Sequence, residues 1–146
     1  PSSYPYSSLV SSLGSHPLTD PLLSSQNLSI VHDGASFLRH QKIKVIAQWH
    51  EALNSLHVCW KNENEKNCGK CQKCVRTILG FWANRLATPP CFDTIPSNLE
   101  ILFLESAKES EFKEILDLAK TNNINDAWIH YSKLNIIINK ILAKIR

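Results

Sequence analysis

A chain of 146 residues with 43% apolar and 20% charged residues has the composition of one soluble globular domain. The net charge of +3 and the pI near 8.7 exclude the dense basic face of a dedicated nucleic-acid binder. No apolar run approaches the roughly 18 residues of a membrane-spanning helix, and no signal peptide is visible, so we expect a cytoplasmic protein with reduced cysteines.

The first 30 residues hold ten Ser and four Pro, and Asp20 is their single charged residue. Such a composition does not sustain a helix or a strand alone. We expect either a disordered leader or a loop that is ordered only against other structure. The chain contains no Met and begins with Pro1, which fits an excised or truncated piece as well as removal of an initiator Met.

Two short extended runs and one helix are predicted in the next part of the chain. Residues 28–31 form a β-type run that ends at a turn signal, residues 32–34. Ser36 is the expected N-cap of a helix that reaches about Trp49. Residues 56–60 form the second extended run.

Helices are predicted for most of the remaining chain. Apolar residues recur at helical spacing from Cys71 to about Arg85, and the following Thr-Pro-Pro ends that helix. After a loop, Ser110 caps a helix to about Thr121. A terminal helix from Asn125 onward carries a bundle-like seam of Ala127, Tyr131, Leu134, Ile138, Ile141 and Ile145. Its basic residues are interpreted as a solvated face: Lys133, Lys140, Lys144 and Arg146.

Four of the five cysteines lie within sixteen residues, at the spacing C-x8-C-x2-C-x2-C: Cys59, Cys68, Cys71 and Cys74. Gly69 allows the tight turn that brings two sulfurs to one ion. Cys71 and Cys74 share a face at the start of a helix, where the helix dipole favours thiolates. Four thiolates around zinc carry a formal charge of −2, which nearby basic residues can offset: Lys66, Lys70, Lys73 and Arg76. The spacing therefore favours a closed, structural zinc site.

Three other interpretations of the cysteines remain open: an iron–sulfur cluster, disulfides and a catalytic thiol. The ferredoxin pattern needs a further Cys where this chain has Ile78. A reducing compartment disfavours disulfides. His57 is a substitute ligand or simply a residue of the extended run, and Cys91 is expected to be a small buried hydrophobe.

The cysteine stretch, with Arg76 two residues after its last Cys, resembles the zinc motif near the C-terminus of 7-cyano-7-deazaguanine synthases. These are ATP-dependent enzymes of the PP-loop (adenine nucleotide alpha hydrolase-like) superfamily, which act in queuosine biosynthesis. The resemblance is specific over residues 56–80, moderate over 14–50 and absent after about 95. The upstream part of the chain is similar to uncharacterised PP-loop relatives at Gly14-Ser15-His16-Pro17, His32-Asp33-Gly34, Arg39 and Lys42.

The family's phosphate-binding turn, SGGxDS, is not present in this chain, which has four glycines. Backbone N–H groups of such a turn hold the ATP pyrophosphate. The resemblance thus implies the C-terminal part of an α/β PP-loop (Rossmann-like) architecture, with its nucleotide-binding half upstream. ATP is expected as a cofactor only if that half exists.

The resemblance also implies a structural zinc beside a substrate pocket. It makes four residues candidates to line that pocket or to bind its anionic groups: His32, Asp33, Arg39 and Arg76. Each has a structural interpretation as well. Arg76 can balance thiolate charge, Arg39 can lie on a solvated helix face, and Asp33 can simply form the turn.

The predicted fold is mainly α with short extended segments and a zinc knuckle. Its parts are a Ser/Pro-rich loop or leader (1–30), a zinc-binding core with two helices (31–95) and a C-terminal helical segment (96–146). We expect the zinc-binding region of a PP-loop ATP-dependent ligase- or synthase-like protein, inactive alone, whose partner is the upstream half. Self-association through the C-terminal helix is a further candidate, and no membrane or nucleic-acid partner is expected. The alternatives are a zinc-knuckle module that binds a protein or tRNA, and an orphan fragment without activity.

Overall fold

A computed structural model of the chain describes residue 6 and residues 16–61, 66–105 and 109–145. The chain divides into two compact units, Pro1–Val45 and Ile46–Arg146. The described residues are mainly helical, and their only β pairing consists of two isolated bridges, Ser25–Leu28 and Asn67–Phe92. None of the helices in the described ranges is both long and apolar enough to cross a membrane.

Among the described residues of the first unit, a 3-10 turn, Asp20–Leu23, precedes helix α1, Arg39–Ile46. The β-type run predicted at residues 28–31 is not a strand. Ser25 and Leu28 exchange backbone hydrogen bonds and so close a turn, and the N–H of Ile30 donates to the Ser24 hydroxyl. A strand needs a partner ladder, and local hydrogen bonds satisfy these backbone groups instead.

The helix predicted from Ser36 to Trp49 is shorter than expected. Helix α1 begins at Arg39, because the side chain of Gln41 accepts a hydrogen bond from the N–H of Leu38, which makes Leu38 the N-cap. Helix α1 ends at Ile46, and a separate helix α2 covers His50–Ser55.

Helix α3, Gln72–Ala83, confirms the helix predicted between Cys71 and Arg85. It ends before the predicted Pro stop. Arg85 adopts a left-handed φ of 60°. The N–H of Leu86 donates to the carbonyl of Phe81, and the N–H of Arg85 donates to the carbonyl of Trp82. These bonds form a Schellman motif, in which Arg85 occupies the position that Gly usually takes.

Three further helices complete the second unit: α4 (Asn98–Leu102), α5 (Glu109–Thr121) and α6 (Ala127–Ile145). Helix α4 was not predicted, although Ser97 and Glu100 form a reciprocal capping box. Ser110 lies inside α5 rather than before it, so its prediction as a cap was wrong.

Helices α3, α4, α5 and α6 pack around one apolar core. Asn135 on α6 donates hydrogen bonds to the carbonyls of Leu102 and Leu104, which satisfies the C-terminal end of α4 inside the core. The core side chains are Val75, Leu79, Ala83, Ile101, Leu104, Phe112, Ile115, Ala119, Trp128 and Ile129. A second, smaller cluster joins α3 to the cysteine segment: Cys59, Cys74, Ile78 and Phe92.

Candidate metal centre

Four sulfur atoms converge beside the N-terminus of α3. The Sγ atoms of Cys59, Cys68, Cys71 and Cys74 all lie within 4.8 Å of one another. Cys59 Sγ lies 3.5 Å from Cys68 Sγ and 3.8 Å from Cys71 Sγ. Cys68 Sγ lies 3.9 Å from Cys74 Sγ. The structure therefore brings together the four cysteines that the sequence spacing selects.

The spacing of the sulfurs fits a tetrahedral metal ion. Zinc–sulfur bonds of about 2.3 Å in a tetrahedron place neighbouring sulfurs about 3.8 Å apart. Three of the six sulfur–sulfur separations, 3.5, 3.8 and 3.9 Å, lie close to that value, and all six are within 4.8 Å, whereas a disulfide would hold its two sulfurs at about 2 Å. All five cysteines are free thiols. The cluster thus has the donor set and the size of a tetrathiolate metal site.

The turn between Cys68 and Cys71 requires Gly69. Its φ is +71°, and a Cβ at this position would lie 1.9 Å from the backbone oxygen of Thr94. The hydroxyl of Thr94 in turn donates a 2.8 Å hydrogen bond to the carbonyl of Cys68. The loop after α3 therefore closes directly onto the turn, and no side chain fits between them.

Asn67 fastens the extended run that carries Cys59. Its buried side-chain oxygen accepts hydrogen bonds from the N–H groups of Val58, at 2.8 Å, and Cys59, at 3.1 Å. Its side-chain nitrogen donates to the carbonyls of Leu56, at 2.6 Å, and Cys91, at 3.1 Å. One amide side chain thus replaces the strand partner that the predicted extended run at 56–60 lacks.

Helix α3 contributes the other two cysteines. Cys71 is its N-cap, and the N–H of Cys71 donates to Cys68 Sγ at 3.4 Å. Cys74 lies one turn further along the helix and is completely buried. The free N–H groups of a helix N-terminus stabilise negative charge, so this end of α3 is suited to hold thiolates.

The thiols of the cluster differ in pKa. Burial opposes ionisation of Cys68, but hydrogen bonds from the N–H groups of Lys70 and Cys71 and from neighbouring thiols outweigh it and lower the pKa to about 7. Burial, followed by contact with the Cys71 thiol, raises the pKa of Cys74 far above its ordinary value. One thiol ionises near neutral pH, whereas its buried neighbour needs a cation beside it to do so.

The basic residues that were expected to offset thiolate charge have other partners. Lys66 Nζ lies 3.7 Å from Asp93, and Lys70 Nζ lies 3.2 Å from Glu100. Lys73 Nζ lies 3.0 Å from the ring centre of Trp60, a cation–π contact. Arg76 forms a half-buried ion pair with Glu111 and so joins α3 to α5.

The fifth cysteine and the candidate histidine lie outside the sulfur cluster. Cys91 accepts hydrogen bonds from Asn67 through its carbonyl oxygen, and burial raises the pKa of its thiol. His57 donates through Nε2 to the carbonyl of Cys59 at 2.9 Å. Cys91 was expected to be a small buried hydrophobe, but its side chain is only half-buried.

Of the other predicted site residues, three lie in the first unit. The side chain of His32 is 3% exposed, and its Nδ1 lies 2.6 Å from Asp20 Oδ2. Its Nε2 has no hydrogen-bond partner among the described residues. The other two, Arg39 and Asp33, both affect the pKa of Lys42. Burial and then the positive charge of Arg39 lower this pKa, and the negative charge of Asp33 opposes the shift. The fourth, Arg76, belongs to the second unit and contacts Glu111.

Sequence reasoning missed Asn67, Asp20 and Glu111. Each contacts a residue that is distant in the sequence. Asn67 is hydrogen-bonded to Cys91, Asp20 is hydrogen-bonded to His32, and Glu111 forms an ion pair with Arg76. No local spacing marks such partners. For Asn67 alone, its place directly before Cys68 was a usable signal.

No family model, curated protein or solved structure matches this chain. The resemblance to PP-loop proteins therefore stays a prediction, and the four-cysteine group is the feature from which function must be argued.

Proposed function

We propose that this chain binds one zinc ion through Cys59, Cys68, Cys71 and Cys74. The observation that carries the proposal is the convergence of four sulfurs within 4.8 Å of one another, with three of their separations between 3.5 and 3.9 Å. Among first-row metals, thiolate sets of this geometry suit zinc or an iron–sulfur centre. The spacing departs from the ferredoxin pattern at Ile78, which favours zinc.

The proposed role of the zinc is structural. Four protein thiolates fill a tetrahedron, so no coordination position remains for water or substrate. Zinc bound in this way contributes about 10–16 kcal/mol of apparent binding free energy at neutral pH. The residues themselves supply the scaffold: Asn67 holds the run that carries Cys59, and Gly69 permits the turn.

Cobalt substitution tests this proposal. Protein loaded with Co²⁺ should show intense visible bands of tetrahedral cobalt and strong sulfur-to-metal charge transfer, and zinc should displace the cobalt stoichiometrically. Weak, octahedral-type bands would contradict the four-sulfur site. Retention of iron and inorganic sulfide by protein purified without oxygen would favour the iron–sulfur centre instead.

Beyond the metal, we propose that the chain is the C-terminal region of a PP-loop ATP-dependent ligase- or synthase-like protein. The cysteine motif with Arg76 and the upstream residues His32, Asp33 and Arg39 support this proposal by their resemblance to the family. The nucleotide-binding half would lie upstream, and the zinc centre would support the substrate side of the enzyme without taking part in the reaction.

The coding sequence before Pro1 tests this part of the proposal. An SGGxDS turn after a strand should be encoded there, and the full-length protein should convert ATP to AMP and pyrophosphate in the presence of its substrate. An unrelated upstream domain, or a phosphate-binding turn of another class, would contradict it.

A second candidate function is a zinc-knuckle module that binds a protein or tRNA. One observation favours it: Trp60 beside the cluster is 83% exposed, with Lys73 over its ring. Exposed aromatic rings next to cations stack on bases. Salt-sensitive tRNA binding that Trp60→Ala abolishes would support this module, and unchanged binding by that variant would exclude Trp60 as its contact.

A further inference from the structure

Helix α6 has a buried face and an exposed apolar face. One face packs into the core through Trp128, Ile129, Ser132 and Asn135, all of which are buried. The other belongs to the C-terminal half of the helix and consists of Leu134, Ile137, Ile138, Ile141, Leu142 and Ile145. Ile138 is half-buried, and the other five are 48%, 52%, 53%, 49% and 75% exposed. At about 100° per residue the centres of the two faces lie roughly 140° apart.

This second face, which we call the outer face of α6, is unusual for a monomer. A surface helix normally presents polar residues opposite its packed side. Single exposed apolar residues are common, but contiguous apolar patches mark interaction sites. The outer face extends over three helical turns, so its exposure calls for a partner.

The charges beside the outer face do not favour an anionic membrane. Helix α6 contains no acidic residue and three lysines, of which Lys140 already lies 2.9 Å from Glu109. Lys133 and Lys144 then border the face. Polybasic membrane recognition uses clusters of about 4–8 Lys or Arg residues. Two lysines supply too little attraction, which leaves an apolar protein surface as the better partner.

The spacing of the outer face matches a second copy of itself. Leu134, Ile138, Ile141 and Ile145 are separated by four, three and four residues, the spacing of a coiled-coil seam. That order is the same in both directions along the helix. When two copies lie antiparallel about a two-fold axis, Leu134 of one copy faces Ile145 of the other, and Ile138 faces Ile141. Each of the four seam residues then faces an apolar residue of the other copy, and the same surface is used by both copies, as an isologous interface requires.

The antiparallel arrangement is also the one that the helix dipoles favour. A parallel pair would align the two helix dipoles. In the antiparallel pair the dipoles oppose. The residues that flank the seam, Ile137 and Leu142, are apolar and add contact rather than repulsion.

We infer that the outer face of α6 mediates an antiparallel homodimer of this chain. The exposed apolar side chains offer roughly 500 Å² per copy, so a pair buries about 1,000 Å², near the lower limit for a specific interface. The dimer is therefore expected to be weak, with dissociation in the micromolar range. It does not depend on the metal or on the PP-loop proposal.

Sedimentation of the metal-loaded protein over a concentration series tests the dimer. We expect a reversible monomer–dimer equilibrium. Ile141→Lys should raise the dissociation constant at least tenfold, whereas Val45→Lys, at a similarly exposed helical position in α1, should leave it unchanged. A purely monomeric protein at millimolar concentration would overturn the inference, and so would equal effects of the two substitutions.

Two further measurements keep the test decisive. If Ile141→Lys loses its helical circular dichroism, Ile145→Lys, in the last turn and 75% exposed, takes its place. A mixture of Leu134→Cys and Ile145→Cys, both in a Cys91→Ala background, should cross-link as a heterodimer, whereas predominant homodimers would contradict the antiparallel order. Binding to anionic vesicles that Ile141→Lys abolishes would assign the face to membranes and overturn the dimer.

Discussion

Asn67 and Cys59 are joined by a hydrogen bond from the backbone N–H of Cys59 to the side-chain oxygen of Asn67, at 3.1 Å in the buried interior. The same oxygen holds Val58, and the amide nitrogen holds the loop at Cys91. The position of the first sulfur is thus set by a residue that is not itself a donor to metal.

Asn67→Ala should destabilise the protein strongly. The substitution leaves two N–H groups without acceptors, that of the buried Cys59 and that of the half-buried Val58, at about 1–3 kcal/mol each. Urea unfolding of the metal-loaded protein should show a loss of about 3 kcal/mol or more, with weaker metal binding. Asn54→Ala, at an exposed position of α2, should change stability by less than about 0.5 kcal/mol. Equal losses of stability in the two variants would show that the hydrogen bonds of Asn67 do not hold the run that carries Cys59.

Gly69→Ala should abolish metal binding or lower its affinity by orders of magnitude. The added Cβ meets the Thr94 backbone oxygen at 1.9 Å, and a backbone contact of this kind cannot relax cheaply. Gly34→Ala is the matched control. It also has a left-handed φ, of +81°, but its Cβ would meet only the flexible end of Lys42 at 3.1 Å. Competition titration with a chelator should separate the two variants clearly, and similar affinities would contradict the role of Gly69.

Arg76→Met should destabilise the chain by about 1–2 kcal/mol, since it leaves Glu111 half-buried without its cation. Glu111→Leu in addition should restore most of the loss. Chemical unfolding of the four proteins of this double-mutant cycle measures the coupling. If Arg76 instead balances thiolate charge, Arg76→Met would weaken metal binding, and the second substitution would restore nothing.

Zinc binding should release fewer protons as pH rises through 7. A thiol must lose its proton to bind metal. Because the pKa of Cys68 is lowered to about 7, this thiol carries a proton at pH 6 and has lost it at pH 8, whereas the raised pKa of Cys74 keeps its proton at both. Calorimetry in buffers of different ionisation enthalpy should show the proton count falling by about one between pH 6 and 8. A constant count would contradict the lowered pKa.

The sequence predicted the parts of the structure that depend on local spacing. Cysteine spacing selected the four residues whose sulfurs converge, and apolar periodicity located α3 within a few residues. The capping box of Ser97 and Glu100 was present in the sequence and would have predicted α4, which was missed.

Features that depend on distant partners could not be obtained in this way. The run at 28–31 has β-type residues but no neighbouring strand, so local turns take its hydrogen bonds. The run at 56–60 is held by Asn67 from outside the run. The pairing of Arg76 with Glu111 depends on how α3 packs on α5, which periodicity does not specify.

Native mass spectrometry of the reduced protein, with elemental analysis, tests the central claim most directly. The unchanged chain and Cys91→Ser should each carry one zinc per chain, since the Cys91 thiol lies outside the sulfur cluster. Cys68→Ser should carry none or lose it to a mild chelator, with unfolding around residues 56–80. One zinc retained at unchanged affinity by Cys68→Ser, or no zinc in the unchanged chain, would contradict the four-cysteine centre.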